Sequence, residues 1–147
     1  MRAAVNELSG TCTRLSAVIA KRNPVSKEAT DKHAADLALA AQFDDLLGQA
    51  RAAEDALHSA QADGASAADL HQLGTRLDGA LTAVMRAAFA AERAEIGARG
   101  YEDRIYRRKA MATSPVRAWT MEAQRLLTLR ESHRLADIAR VPRAPAV

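Results

Sequence analysis

Apolar residues of this 147-residue chain recur at alternating steps of four and three positions, which keeps them on one face of an α-helix. In the first half of the chain the repeat runs through Leu39, Phe43, Leu46, Ala50, Ala53, Leu57 and Ala60. It resumes with Leu70, Leu73, Leu77, Ala80, Val84, Ala87, Ala91, Ala94 and Ala98, and continues to Tyr101 and Ile105. Such a repeat is typical of a heptad seam between packed helices. Period-two alternation of β-branched residues is absent from the sequence, so no strand is predicted.

Proline, glycine and serine divide this pattern into helices. The prolines lie at positions 24, 115, 142 and 145. Gly64 suits a left-handed helix stop, and Ser66 followed by Asp69 is a variant of the capping box. Three serines, at positions 26, 66 and 114, are predicted N-caps. We therefore predict helices over residues 3–22, 27–62, 67–112 and 115–139, with a place to bend at 97–100.

These elements predict an all-α fold, a helical bundle built on a long antiparallel hairpin of the second and third helices. Two arrangements remain open: all four helices form a compact bundle, or the hairpin protrudes and the terminal helices pack at its base. We expect one helical domain over residues 1–141 and a flexible tail over residues 142–147.

The predicted first helix places Val5, Leu8, Cys12, Leu15 and Ile19 on one face. Cys12 is the only cysteine, which excludes a disulfide framework and a multi-cysteine zinc site within one chain. We predict that it serves as a small buried hydrophobe in a reducing, cytoplasmic setting. No apolar run has the length of a signal peptide or of a bilayer span. Arginine outnumbers lysine 17 to 4 and alanine is abundant, which favours a GC-rich bacterial or phage source.

The positive charge of the chain is concentrated in its last third. The formal charge is +3 overall, and it divides into −1 over residues 1–62, −2 over residues 63–98 and +6 over residues 99–147. Such polarity favours an anionic partner. On a continuous helix the seam passes through Tyr101 and Ile105 to Arg108, so we expect the seam either to open to solvent there or to meet an anionic partner.

The stretch "RGYEDRIYRRKA", residues 99–110, is therefore the candidate interaction surface. The candidate partner-binding residues are Arg104, Arg107, Arg108, Lys109, Tyr106 and Trp119. The alternative interpretation is a solvated helix face, in which Asp103 pairs with Arg107 and Glu95 with Arg99. A nucleic acid would use the arginines for phosphates and the tyrosines for stacking on bases.

Signals of catalysis and of metal binding are weak. Histidines lie at positions 33, 58, 71 and 133, but the sequence has one Asp-x-x-His motif where helical metal sites use pairs of carboxylate-x-x-His motifs. We expect exposed histidines, no metal, no cofactor and no small-molecule substrate. Phosphate-binding glycine loops and nucleophile elbows are absent from the sequence. The chain is therefore predicted not to be an enzyme.

The leading prediction is a non-enzymatic helical interaction protein: an adaptor, a chaperone or an assembly subunit. The alternative is a helical nucleic-acid-binding module. Because the seam is rich in alanine, we also expect self-association or a helical protein partner. In its length, basic charge and heptads the chain resembles the flagellar and type III secretion stalk proteins of the FliJ and YscO kind. That resemblance implies a secretion stalk component and assigns no role to any residue.

Overall fold

The computed structural model describes residues 24–138 of the chain, and every regular element in that range is helical. The elements are α1 (Lys27–Ala40), α2 (Phe43–Ala62), α3 (Ala67–Ile96), a 3-10 turn (Ala98–Tyr101), α4 (Arg104–Ala110) and α5 (Ser114–Ile138). The all-α prediction is confirmed for these residues. Helix α3 is central, because α1, α2 and α5 all pack against it. The predicted helix over residues 3–22, the position of Cys12 and the tail over residues 142–147 lie outside the described residues.

The predicted helix over residues 27–62 is two helices separated by a turn. The amide of Ala41 still bonds to the carbonyl of Leu37 (3.0 Å), but the amide of Gln42 bonds to Leu39, three residues back (3.1 Å). Neither proline nor glycine marks this turn in the sequence. It separates α1, which contacts the last turns of α3, from Phe43, which packs on α5. Contacts with two other helices accompany the break.

The connection between α2 and α3 has the structure that the sequence predicts. Gly64 adopts φ 70°, the left-handed conformation that favours glycine. The amide of Ala65 bonds to the carbonyl of Ala60 (3.0 Å) and the amide of Gly64 to that of Gln61 (3.3 Å), which together form a Schellman motif. Ser66 then accepts the amide of Asp69 (3.2 Å) as the N-cap of α3. Both helix ends are therefore closed by hydrogen bonds.

The predicted helix over residues 67–112 ends early, at Ile96. Gly97 adopts φ 90° and ψ 166°, a region that is almost restricted to glycine. A Cβ atom at Gly100 would collide with the Cγ2 methyl of Ile96, so the 3-10 turn also depends on glycine. The proposed continuation of the seam is therefore wrong: Ile105 is 70% exposed, and Tyr101 turns towards α1. The helix stops because the backbone at Gly97 leaves the helical region, and not at the next proline.

Small side chains dominate the core that α2, α3 and α5 share. The buried cluster consists of Ala50, Ala53, Leu57, Leu77, Leu81, Val84, Ala88, Ala123 and Leu126. Every seam residue that the sequence selected from Leu39 to Ala98 is buried or half-buried. On α5 the predicted apolar face is likewise buried or half-buried: Val116, Trp119, Ala123, Leu126 and Leu127. The apolar spacing therefore identifies the inward faces of the helices.

Candidate interaction surface

Helix α4 carries a continuous exposed basic surface. This α4 surface consists of Arg104, Ile105, Tyr106, Arg107, Arg108 and Lys109, all of which are exposed. Asp103 begins the helix, since its Oδ1 accepts the amide of Tyr106 (2.9 Å). That bond is the main cause that lowers the pKa of Asp103 below its usual range, with a further contribution from Arg99. An ionised aspartate therefore caps the one helix that holds five of the six candidate residues.

Ile105 lies in the middle of the outward side of α4. In a helix of 3.6 residues per turn, Arg108 is about 60° from Ile105 on one side and Lys109 about 40° away on the other. Ala110, on the opposite side of the helix, is half-buried. With 70% of its surface exposed, Ile105 is an apolar side chain surrounded by cations and open to solvent. This arrangement can present one apolar contact inside a ring of positive charge.

The cations of the α4 surface have no anionic partner within the part of the chain that the structure describes. Across residues 24–136, no carboxylate lies within 4.0 Å of Arg104, Arg107, Arg108 or Lys109. The predicted pair of Asp103 with Arg107 is wrong, because Asp103 contacts Arg99 instead (3.4 Å). The predicted pair of Glu95 with Arg99 is also absent, because α3 ends between the two residues.

Tyr106 adds an aromatic ring to the same surface. The guanidinium carbon of Arg99 lies 5.8 Å from the centroid of the Tyr106 ring, within the range of a cation–π contact. The side chain nevertheless remains 41% exposed. The sequence placed this ring outward, and the structure agrees.

Trp119 lies in the core. Its ring meets Phe43 edge to face, with centroids 5.1 Å apart and an interplanar angle of 86°. It is half-buried and packs against the buried cluster. The structure therefore brings five of the six candidate residues together on α4 and places the sixth between α2 and α5. A role for Trp119 in partner binding stays a prediction.

A polar cluster that the sequence did not identify joins α1 to the end of α3. Arg93 donates two hydrogen bonds of 2.7 Å to the carboxylate of Asp36, and Tyr101 donates a third through its hydroxyl. The side chain of Asp36 is only 14% exposed. The hydrogen bond from Arg93 holds the pKa of Asp36 below its usual range against the opposing effect of burial. Because each group satisfies another, the cluster serves as a structural clasp.

The clasp predicts an unusual titration of Tyr101. Burial, reinforced by the hydrogen bond to Asp36, raises the pKa of Tyr101 from 10.0 to about 12. The folded state therefore retains this proton between pH 10 and 12 while the unfolded state releases it, so stability falls as pH rises through that window. Tyrosinate absorbance of the wild type minus that of Tyr101→Phe should show a transition near 12 in buffer and near 10 in urea. A folded-state transition near 10 would contradict the clasp.

The histidines do not all behave as the sequence predicted. His58 and His71 are exposed, as expected. His33 and His133 are half-buried, and their Nε2 atoms lie 3.0 Å from the carbonyl oxygen of Ala94 and 2.8 Å from that of Gly74. Because a carbonyl only accepts, Nε2 carries the proton in both. Both histidines therefore attach a flanking helix to α3.

Two further searches of the structure bear on the site. Among residues 24–138, no three histidine, cysteine, aspartate or glutamate side chains come together in a way that could hold a metal ion. None of the described helices combines the length and the apolar character needed to cross a bilayer.

Comparisons of the chain with models of protein families, with curated proteins and with solved structures return no match.

Proposed function

We propose that this chain is a non-enzymatic helical interaction protein of the adaptor, chaperone or assembly-subunit type. It binds an acidic protein partner through the α4 surface. The single observation that carries this proposal is the exposed Ile105 within a group of four cations that have no anionic partner among the described residues. Exposed cations on a folded helix attract a complementary negative surface and orient it.

Ile105 favours a protein over a nucleic acid as the partner. Phosphates and sugars offer little apolar surface to a branched aliphatic side chain, whereas a shallow apolar pocket bordered by carboxylates matches both features of the α4 surface. Burying such a side chain at an interface contributes about 1.5–3 kcal/mol. The cations would then set the rate and the orientation of association.

Nucleic-acid binding is the second candidate, and Tyr106 is the observation that favours it. The ring is 41% exposed and lies among the arginines of the α4 surface, where an unpaired base could stack on it. Under this alternative, affinity would fall steeply with salt because each phosphate contact releases counterions.

A finer proposal concerns α2 and α3. We propose that they act as one antiparallel hairpin with a coiled-coil seam, which supports self-association or a helical partner. Three observations support it: the four-residue connection, the contact between the two helices, and the buried alanines at Ala50, Ala53, Ala87 and Ala91. Small seam residues let two helices approach closely but bury little area, so a further helix would add stability. The resemblance to secretion stalk proteins depends on this hairpin and stays a prediction, as does a cytoplasmic location.

The α4 surface can be tested by removing its charge. Replacing Arg104, Arg108 and Lys109 together with glutamine should weaken partner binding by tenfold or more, about 1.4 kcal/mol, while leaving helicity unchanged. None of the three side chains has an ion pair to lose within the described residues. Binding should be measured with the partner that co-purifies with the tagged protein, at two salt concentrations.

A matched control removes the same charge elsewhere. Arg51, Arg76 and Arg86 are exposed arginines outside α4, and their triple glutamine variant should bind almost normally. Ile105→Ser should weaken binding to a protein but leave binding to single-stranded RNA or DNA unchanged. Equal binding by both triple variants would show that α4 is a solvated helix face. A salt slope reduced by about 0.7–0.9 per lost contact would favour the nucleic-acid alternative.

A further inference from the structure

A groove separates the second half of α2 from the last part of α5. The two helices meet near their starts through Phe43 and Trp119, and further along they diverge. The groove has a volume of about 1050 Å³, and its floor is the first half of α3. Leucines line it from all three helices, among them Leu57, Leu70 and Leu129. Leu129 is 43% exposed, so the described residues leave this apolar surface without a covering element.

The position of α1 limits which segment of the same chain can cover the groove. The amide of Ser26, just before α1, donates to the carboxylate of Glu102 (3.2 Å), which follows the 3-10 turn beyond α3. Residues 1–23 therefore connect to the molecule at the end of α3 that lies away from the groove. To reach the groove, they must run back along α3.

Their length and apolar pattern suit that path. The sequence predicts a helix over residues 3–22, and Asn23 with Pro24 provides a turn before α1. At 1.5 Å per residue, the distance from Ile96 back to Leu81 is about 22 Å, and a helix from residue 22 back to Leu8 covers about 21 Å. Leu8 would then lie level with Leu81, and Val5 close to the level of Leu77. The predicted stripe therefore has the reach to place apolar side chains in the groove.

We propose that residues 3–22 occupy the groove between α2 and α5 as the fourth helix of the bundle. Their apolar stripe faces the floor on α3, and their polar side faces solvent. This proposal does not depend on the function of the α4 surface.

Cys12, the single cysteine, allows the proposal to be tested in the full-length chain. If the stripe is docked, the reaction of Cys12 with Ellman's reagent should be slower by about tenfold or more than in urea, because the thiol reacts only when the segment opens. Leu129→Glu places a charge on the groove wall and should bring the rate close to the urea value. The matched control is Leu135→Glu on the same helix, since Leu135 is 66% exposed and does not line the groove. That control should leave Cys12 protected.

A disulfide experiment keeps the proposal testable should Leu129→Glu lower helicity. In a Cys12→Ala background, Leu8→Cys combined with Leu129→Cys should form an intramolecular disulfide under mild oxidation, whereas Leu8→Cys with Leu135→Cys should not. Rapid native reaction of Cys12 together with no Leu8 to Leu129 disulfide would overturn the proposal. A disulfide between two chains at low protein concentration would also overturn it, because a second copy would then occupy the groove.

Discussion

Leu77→Asp should destabilise the folded protein by about 4 kcal/mol or more, which is a large part of the 5–15 kcal/mol that usually stabilises a domain. Leu77 is 5% exposed and belongs to the buried cluster shared by α2, α3 and α5. A carboxylate there loses its water without gaining a cationic partner, and the leucine side chain leaves part of its volume empty. Thermal unfolding followed by circular dichroism should show a midpoint lower by about 10 °C or more.

Leu37→Asp is the matched control, because it makes the same substitution at a leucine of α1 that is 50% exposed. Its midpoint should stay within a few degrees of the wild type. Retained stability and oligomeric state in Leu77→Asp would show that the position is not in the core, and the proposed hairpin would lose its main support.

Arg93→Gln should destabilise the fold by about 2 kcal/mol. The substitution removes both hydrogen bonds from the guanidinium to Asp36 and leaves a largely buried carboxylate with the Tyr101 hydroxyl. Arg93 itself is 40% exposed, so solvent screening keeps the loss below the 3–5 kcal/mol typical of a fully buried pair. Chemical unfolding in urea at neutral pH is the measurement.

The same variant has a distinctive dependence on pH. Because the folded pKa of Asp36 lies below its ordinary value of 3.8, its contribution to stability is complete above that value and is lost as pH falls through the folded pKa. The difference between wild type and Arg93→Gln should therefore shrink below about pH 4. Arg86→Gln, at an exposed arginine on the same helix, should show no such change. A difference that stays constant down to pH 2 would remove Asp36 from the explanation.

Local sequence predicted those parts of the fold that depend on neighbouring residues. The Gly64 stop, the Ser66 cap and the Ser26 cap all form within a few residues, and all three are confirmed. The inward faces of α2, α3 and α5 follow from apolar spacing alone. Such features need no knowledge of the tertiary fold.

The early end of α3 and the turn after α1 were not predicted, because contacts between distant residues accompany both. Gly97 was identified as a place to bend, but its sequence does not tell a bend from a stop. Next to it His33 binds the carbonyl of Ala94, which lies 61 positions away in sequence. Nor does spacing join Asp36 to Arg93, which are 57 positions apart. The basic character of the candidate surface was visible in the sequence, whereas the exposure of Ile105 follows only from the end of α3.

The central place of α3 affects how the protein forms during synthesis. Helix α1 emerges from the ribosome before its partners, since Asp36 waits for Arg93, 57 residues later, and for Tyr101, 65 residues later. At about 5–20 residues per second, that interval is about 3–13 seconds. The mean hydropathy of α1 is close to neutral, so the helix exposes little apolar surface during this delay. A nascent chain stalled before residue 93 should therefore contain α1 without its attachment, and protease should cleave it there until translation resumes.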